Sequence, residues 1–182
     1  MLTHDRCSLA LTLASAVLHL HDTPWLTETW SMNDIHIMGR TSLLSDQPYL
    51  SKNFVPSTNN PSTVTPGQRL RIIKNSIVFA LGVALLEISY GSPLSTFETA
   101  EDLDQGKRLD WTDYFIADRL AEGLAARELP NYADATRRCI HCNFDSSVYS
   151  LKDDDFRERF YQGVIVPLQK DYDYVMNNQG KL

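Results

Sequence analysis

The chain has 182 residues, of which 43% are apolar and 22% charged, a composition of one ordinary globular domain rather than a disordered tail or a coiled coil. Its formal net charge of -6, with no basic run longer than Arg137-Arg138, excludes an electrostatic grip on nucleic acid or on an anionic membrane. Three cysteines, Cys7, Cys139 and Cys142, form no even disulfide framework and point to a reducing, cytoplasmic compartment.

Leu9, Leu13, Val17 and Leu20 share one helical stripe, which predicts a first helix from Asp5 to His21, ending at Thr23-Pro24. Asp5 and the early His19, His21 and Asp22 argue against reading this stretch as a signal peptide. The next segment, "WLTETWSMNDIHIM", predicts two short extended pieces around a turn near Ser31–Asp34, a small β-hairpin. Residues 39–67, rich in Pro, Ser, Thr and Asn and without apolar period, read as a long loop.

A central helix is expected to begin at Gln68–Ile73 and to end at Gly91, with Pro93 behind it. It holds ten apolar residues in a row, Ile77 to Leu86, with Gly82 among them. A helix apolar on every face must be surrounded by its neighbours. Burying those side chains, at about 1.5–3 kcal/mol each, outweighs any local preference, so a charge at Ala84 or Leu85 should unfold the domain. Gly82 costs about 1 kcal/mol against alanine in mid-helix, which points to close approach by another backbone. The run is about half the length that spans a bilayer.

Beyond a short segment at Ser95–Asp104, Asp110 is the expected N-cap of a third helix with Phe115, Leu120 and Leu124 on its apolar face. A further helix is expected over Tyr132–Cys142. In the last one, capped by Ser150, Phe156, Phe160, Val164 and Leu168 repeat at i+4 and Pro167 imposes a kink. The reading is a mainly α single domain over 1–182, with five or six helices built around one fully buried central helix.

The piece "FALGVALLEISYGSPL" resembles the central helix of the protein-kinase C-lobe, where a "WSLGVLLYELLTGxxPF" pattern is usual. "RCSLALTLASAVLHLHDTPWL" is similar to the kinase helix before the catalytic loop, "ETWSMNDIHIM" to the catalytic-loop hairpin, and "ADATRRCIHCNF" to a late C-lobe helix. More closely, "LHLHDTPWL" (18–26), "WSMNDIHIM" (30–38), "DQPYLS" (46–51), "FALGVALLEISYG" (79–91) and "FRERFYQGVIVPLQ" (156–169) resemble a C-terminal kinase-like domain of unknown function found in filamentous fungi. Some members of that family are joined to cell-death or incompatibility modules.

Phosphoryl transfer needs a Gly-rich loop, a strand lysine, a catalytic Asp with a metal-binding Asn, and an Asp-Phe-Gly. Aligned on the kinase pattern, Asp34 falls at the metal-binding Asn and Thr29 at the catalytic Asp, with Thr27-Glu28-Thr29 in place of His-Arg-Asp. "SDQPY" at Ser45–Tyr49 lacks the Phe and the Gly, and Ile77 stands where a carboxylate normally holds the catalytic loop. The first helix starts too near Met1 to leave length for an N-lobe. The expectation is a non-catalytic, pseudokinase-like interaction or scaffold module of fungal signalling or self-recognition, with no catalytic, cofactor-binding or metal residues and an unassigned protein partner. Two alternatives stand beside it: an enzyme of another class using Glu28, Asp34 and His36 as an acid–base cluster, and a fragment of a larger kinase-like protein. A missing N-lobe predicts exposed apolar surface near Trp25, Leu26 and Ile35, or a homodimer that hides it.

The remaining constellations have plain readings. "CIHC" at 139–142 is a lone CxxC, more simply two small core residues on one helix face than a zinc site. His19 and His21 in "HLHD" suit a helix end, and "KDDDFRER" at 152–159 suits an acidic helix start. Trp25, Trp30 and Trp111 fit core anchors or partner contacts equally.

Overall fold

A computed structural model of the chain describes residues 1–28, 30–37, 48–50 and 72–178. Six α-helices carry it: α1 (Thr3–Leu20), α2 (Ser76–Tyr90), α3 (Thr112–Gly123), α4 (Pro130–His141), α5 (Asp154–Phe160) and α6 (Val166–Asn178). A π-helical turn, Tyr161–Ile165, runs α5 directly into α6. The described part is mainly helical. Most of the loop expected at 39–67 lies outside the described residues; within it, Pro48–Leu50 (β2) pairs antiparallel with Ile35–Ile37 (β1), Ile35 opposite Leu50. Ser31–Asp34, expected as the turn between two extended pieces, instead closes a 3-10 turn over Met32–Asp34 that leads into β1.

Helix α2 begins later than its apolar pattern implied. Ile72–Lys74 are not helical, because Asn75 takes the cap: its side-chain oxygen accepts from the Val78 N–H at 3.0 Å and its amide donates to the Tyr149 carbonyl at 3.0 Å. The far end is as expected: Gly91 adopts the left-handed region (φ 70°) and its N–H bonds to the Glu87 carbonyl.

Val78, Leu81, Ala84, Leu85, Leu86 and Ile88 are buried, but α2 is not buried all round. Phe79, Ala80, Val83 and Tyr90, spaced as one helical stripe, are only half-buried. The cause is unequal company. Helix α2 lies closely along α4 and also against α1, whereas α3 meets it mainly through aromatic rings, Tyr114 near Phe79 and the Tyr90 hydroxyl on the Leu120 carbonyl.

The close approach expected at Gly82 is present, with side chains rather than a bare backbone opposite. A Cβ there would sit 2.7 Å from Ile140 Cδ1 and 3.0 Å from Cys139 Cβ. The missing side chain lets α2 and α4 nest at this point.

Helix α1 buries Leu9, Leu13 and Val17 as its stripe requires and packs on α6 and α2. Among the described residues no helix is long and apolar enough to cross a membrane. The apolar face expected of the third helix holds at Leu120 and Leu124 and fails at Phe115. Ile116, Leu120 and Leu124 are buried, while Phe115, about 100° round the helix from Ile116, is 44% exposed. Asp110 is not its cap; Trp111 holds that position without a capping side-chain hydrogen bond.

Phe156, Phe160, Val164 and Leu168 are all fully buried, and Asp153 rather than Ser150 caps α5 by accepting from the Phe156 N–H at 2.9 Å. The kink expected at Pro167 takes the form of the π-helical turn just before it. Proline lacks an N–H and its ring collides with the carbonyl four residues back, so widening the preceding turn relieves both faults while keeping the i+4 stripe inward. Leu26 and Ile35 belong to the core, contrary to the exposed surface expected there, while Trp25, 48% exposed, fits that expectation; Trp30 is a core anchor. Trp30 holds its segment to α2 through an indole N–H donated to the Ile77 carbonyl at 3.2 Å.

Candidate functional site

Of the acid–base trio expected from sequence, Asp34 is committed to the backbone. Asp34 Oδ2 accepts from the Ser31 N–H at 2.9 Å, so its carboxylate closes a turn. Glu28 is exposed, and no hydrogen bond or ion pair joins it to Asp34. His36 lies in β1 opposite Tyr49, and Thr29 is outside the described residues.

Cys139 and Cys142 are buried free thiols, and so is Cys7. Burial pushes the Cys142 thiol up to about 11 and Cys139 well above its ordinary value, which removes the thiolate that metal binding or redox chemistry would use. Among the described residues no group of three or more His, Cys, Asp or Glu is arranged to hold a metal ion.

His19 and His21 line an open cleft of about 670 Å³ between the end of α1 and α5, with Leu18, Asp154, Arg157, Glu158 and Tyr161. Each donates its Nδ1–H to a backbone carbonyl, His19 to Ser15 at 2.6 Å and His21 to Leu18 at 2.8 Å, which leaves Nε2 as an acceptor. Arg157, the one Arg or Lys among the described residues that line the cleft, is held by Asp154 and by the Leu151 carbonyl.

The buried polar groups elsewhere are committed to the fold. Glu128, its side chain 3% exposed, accepts from Ser89 Oγ at 2.8 Å and pairs with Arg6 Nε at 3.0 Å. Asp171 of α6 takes the Tyr132 N–H and the Asn131 amide, both at 2.7 Å. It thereby caps α4, whose own preceding residue, Leu129, has no capping side chain. Burial would raise Asp102, but the Thr99 N–H and hydroxyl and the Arg119 guanidinium at 2.6 Å outweigh it and hold the carboxyl low.

What the surface does present is a row of rings across α2, α3 and α4. Phe79 stacks on Tyr114 at 6.1 Å, and Tyr114 meets Phe115 and His141 edge-on at 6.0 and 6.2 Å. The Tyr114 hydroxyl lies 3.2 Å from His141 Nδ1, and His141 Nε2 lies 3.4 Å from Asp118. Burial, with Asp118 nearby, pushes the Tyr114 phenol up, so it is a hydrogen-bonding rim rather than a nucleophile. Burial also raises Glu87, with Asp113 adding to it, although the Leu94 N–H at 2.7 Å opposes them. Sequence reasoning missed this row. Phe115 was placed in the core, and nothing in the 27-residue spacing joins Tyr114 to His141.

No curated protein and no solved structure matches the chain. A family model described as a domain of unknown function matches residues 1–175. By that match the chain belongs to the DUF7580 family.

Proposed function

We propose that the protein is a non-catalytic interaction module with a helical core of the kinase C-lobe type, working inside the cell in a fungal signalling or self-recognition system. One observation carries the reading. The carboxylates best placed for chemistry are consumed by the fold, while the open surface across α2, α3 and α4 is aromatic. Asp34 closes its own turn, and Asp171, Glu128 and Asp102 cap or latch helices. On the kinase-like reading Ile77 stands where a carboxylate would tie the catalytic loop, and its carbonyl instead accepts from the Trp30 indole, a neutral bond that positions no metal. The same commitment of Asp34 counts against an acid–base enzyme built on Glu28, Asp34 and His36. Three buried free cysteines suit a reducing compartment.

The test is thermal unfolding of the purified chain with and without magnesium and ATP, together with transfer of labelled γ-phosphate to the chain or to a generic protein acceptor. The expected result is no shift and no transfer. Stabilisation that rises with ATP concentration, or transfer lost in Asp34→Ala, overturns the proposal.

A further inference from the structure

We propose that the aromatic row formed by Phe79, Tyr114 and Phe115 is the docking surface of this module, and that its occupant is a basic segment of another protein that offers a large apolar side chain flanked by Lys or Arg. The inference rests on the interaction-module reading and names the chemistry of its partner.

The apolar half of the match is the row itself. Phe115 is 44% exposed beside half-buried Phe79 and Tyr114, so three contiguous rings meet solvent on a face that α3 bridges without covering. Rings held by packing on both sides lose little freedom when a partner covers them, which favours them as anchors.

The electrostatic half comes from the charge balance of the segment that carries Tyr114 and Phe115. Residues 98–122 carry eight carboxylates against three cations, Lys107, Arg108 and Arg119, a balance of -5 in a chain of net charge -6. Two of those cations are already engaged, Arg119 with Asp102 and Arg108 with Glu98 and Asp113. Asp118 lies 3.4 Å from His141 Nε2 and close enough to raise the Tyr114 phenol, and Asp113 is close enough to raise the Glu87 carboxyl. A cationic flank of a partner would relieve this crowding and would be steered toward it. Arg137, exposed one turn before His141 on α4, closes the other side of the row, so the partner's cations fall on the α3 side. A second copy meeting through the same face would set Asp113 and Asp118 against their own kind, and an anionic membrane or nucleic acid would meet the acids directly.

The test is to pan a random peptide library against the full folded chain and to measure enriched peptides by fluorescence anisotropy at low and physiological salt. Enrichment of sequences with a large apolar residue between Lys or Arg is expected. Their affinity should fall with salt and drop by about tenfold or more in Phe115→Ser and, separately, in Asp118→Arg. Both positions are solvent-facing, and circular dichroism checks that the variants fold. Acidic or uncharged enriched sequences, or no enrichment, overturn the proposal. So does binding indifferent to both variants, although an interaction module would then survive with its surface elsewhere. Nucleotide-dependent phosphate transfer would remove the module reading itself.

Discussion

Replacing Gly82 with alanine tests the packing of α2 on α4 most directly. In an isolated helix the change would stabilise by about 1 kcal/mol. Here the new methyl would lie 2.7 Å from Ile140 Cδ1, 3.0 Å from Ile140 Cγ1 and 3.0 Å from Cys139 Cβ. The Ile140 terminus can rotate only into a filled core, since Ile140 is 1% exposed, and the Cys139 Cβ moves only with the α4 backbone. Overpacking of this kind costs about 1–3 kcal/mol. Set against the propensity gain, its upper half leaves a net loss of about 1–2 kcal/mol. For a domain of this size that lowers the melting temperature by about 2–8 °C. Urea unfolding followed by circular dichroism gives the free energy, and Ile140→Val, which deletes the clashing carbon, gives the control. In a double-mutant cycle the two changes should be less damaging together than their sum, by about 1 kcal/mol. If Gly82→Ala is as stable as the parent or more so, the close contact between α2 and α4 is wrong.

Asp171→Ala should destabilise by about 1–3 kcal/mol in urea, because it strands the buried Tyr132 N–H and removes the partner of the half-buried Asn131 side-chain amide. Asp171→Asn, which keeps an acceptor, should cost less. For Asp102 the folded carboxyl titrates below its ordinary value of 3.8, so its contribution is complete above that pH. It is lost as pH falls through the lower folded value, and the acid limb of the stability curve should be shallower in Asp102→Asn when urea midpoints are compared from neutral pH downward. Cys7 and Cys142, both pushed up to about 11 by burial, and Cys139 with them, should react with a chromogenic disulfide reagent at pH 8 only as fast as the chain unfolds. A fast-reacting thiol in the folded protein would contradict that.

The elements with strong period were legible in the sequence. The Phe156–Phe160–Val164–Leu168 stripe, the glycine stop at Gly91 and the Leu9–Leu13–Val17 face each follow from side chains a few residues apart. Features that depend on distant partners were not. The cap of α4 comes from α6 and has no local signature, whereas the start of α2 carries one, the Asn75 side chain accepting from the Val78 N–H, that the apolar pattern masked. Phe115 was misplaced because Phe115 and Ile116 are equally apolar, and only tertiary packing decides which of two adjacent positions faces in. For the same reason the half-open stripe of α2 could not be told from a fully surrounded helix: ten apolar residues in a row erase the phase that a mixed sequence would carry. The surface row then follows from the two misreadings together, since Phe79 and Phe115 were both counted as core.

The cap that Asp171 lends to α4 bears on how the chain comes together in time. Helix α4 is the main support of α2, yet the donors of its first turn are matched only by a side chain about forty residues further on. A growing chain that had emerged only as far as α4 would hold its two central helices with one end of the pair still open. That end closes when α6 docks, bringing α1 with it. The expectation is that the first turn of α4 consolidates only once α6 has docked. Amide protons of α4 and α6 should consequently gain protection in a single step, and a cut in the α4–α5 connection should release both halves together.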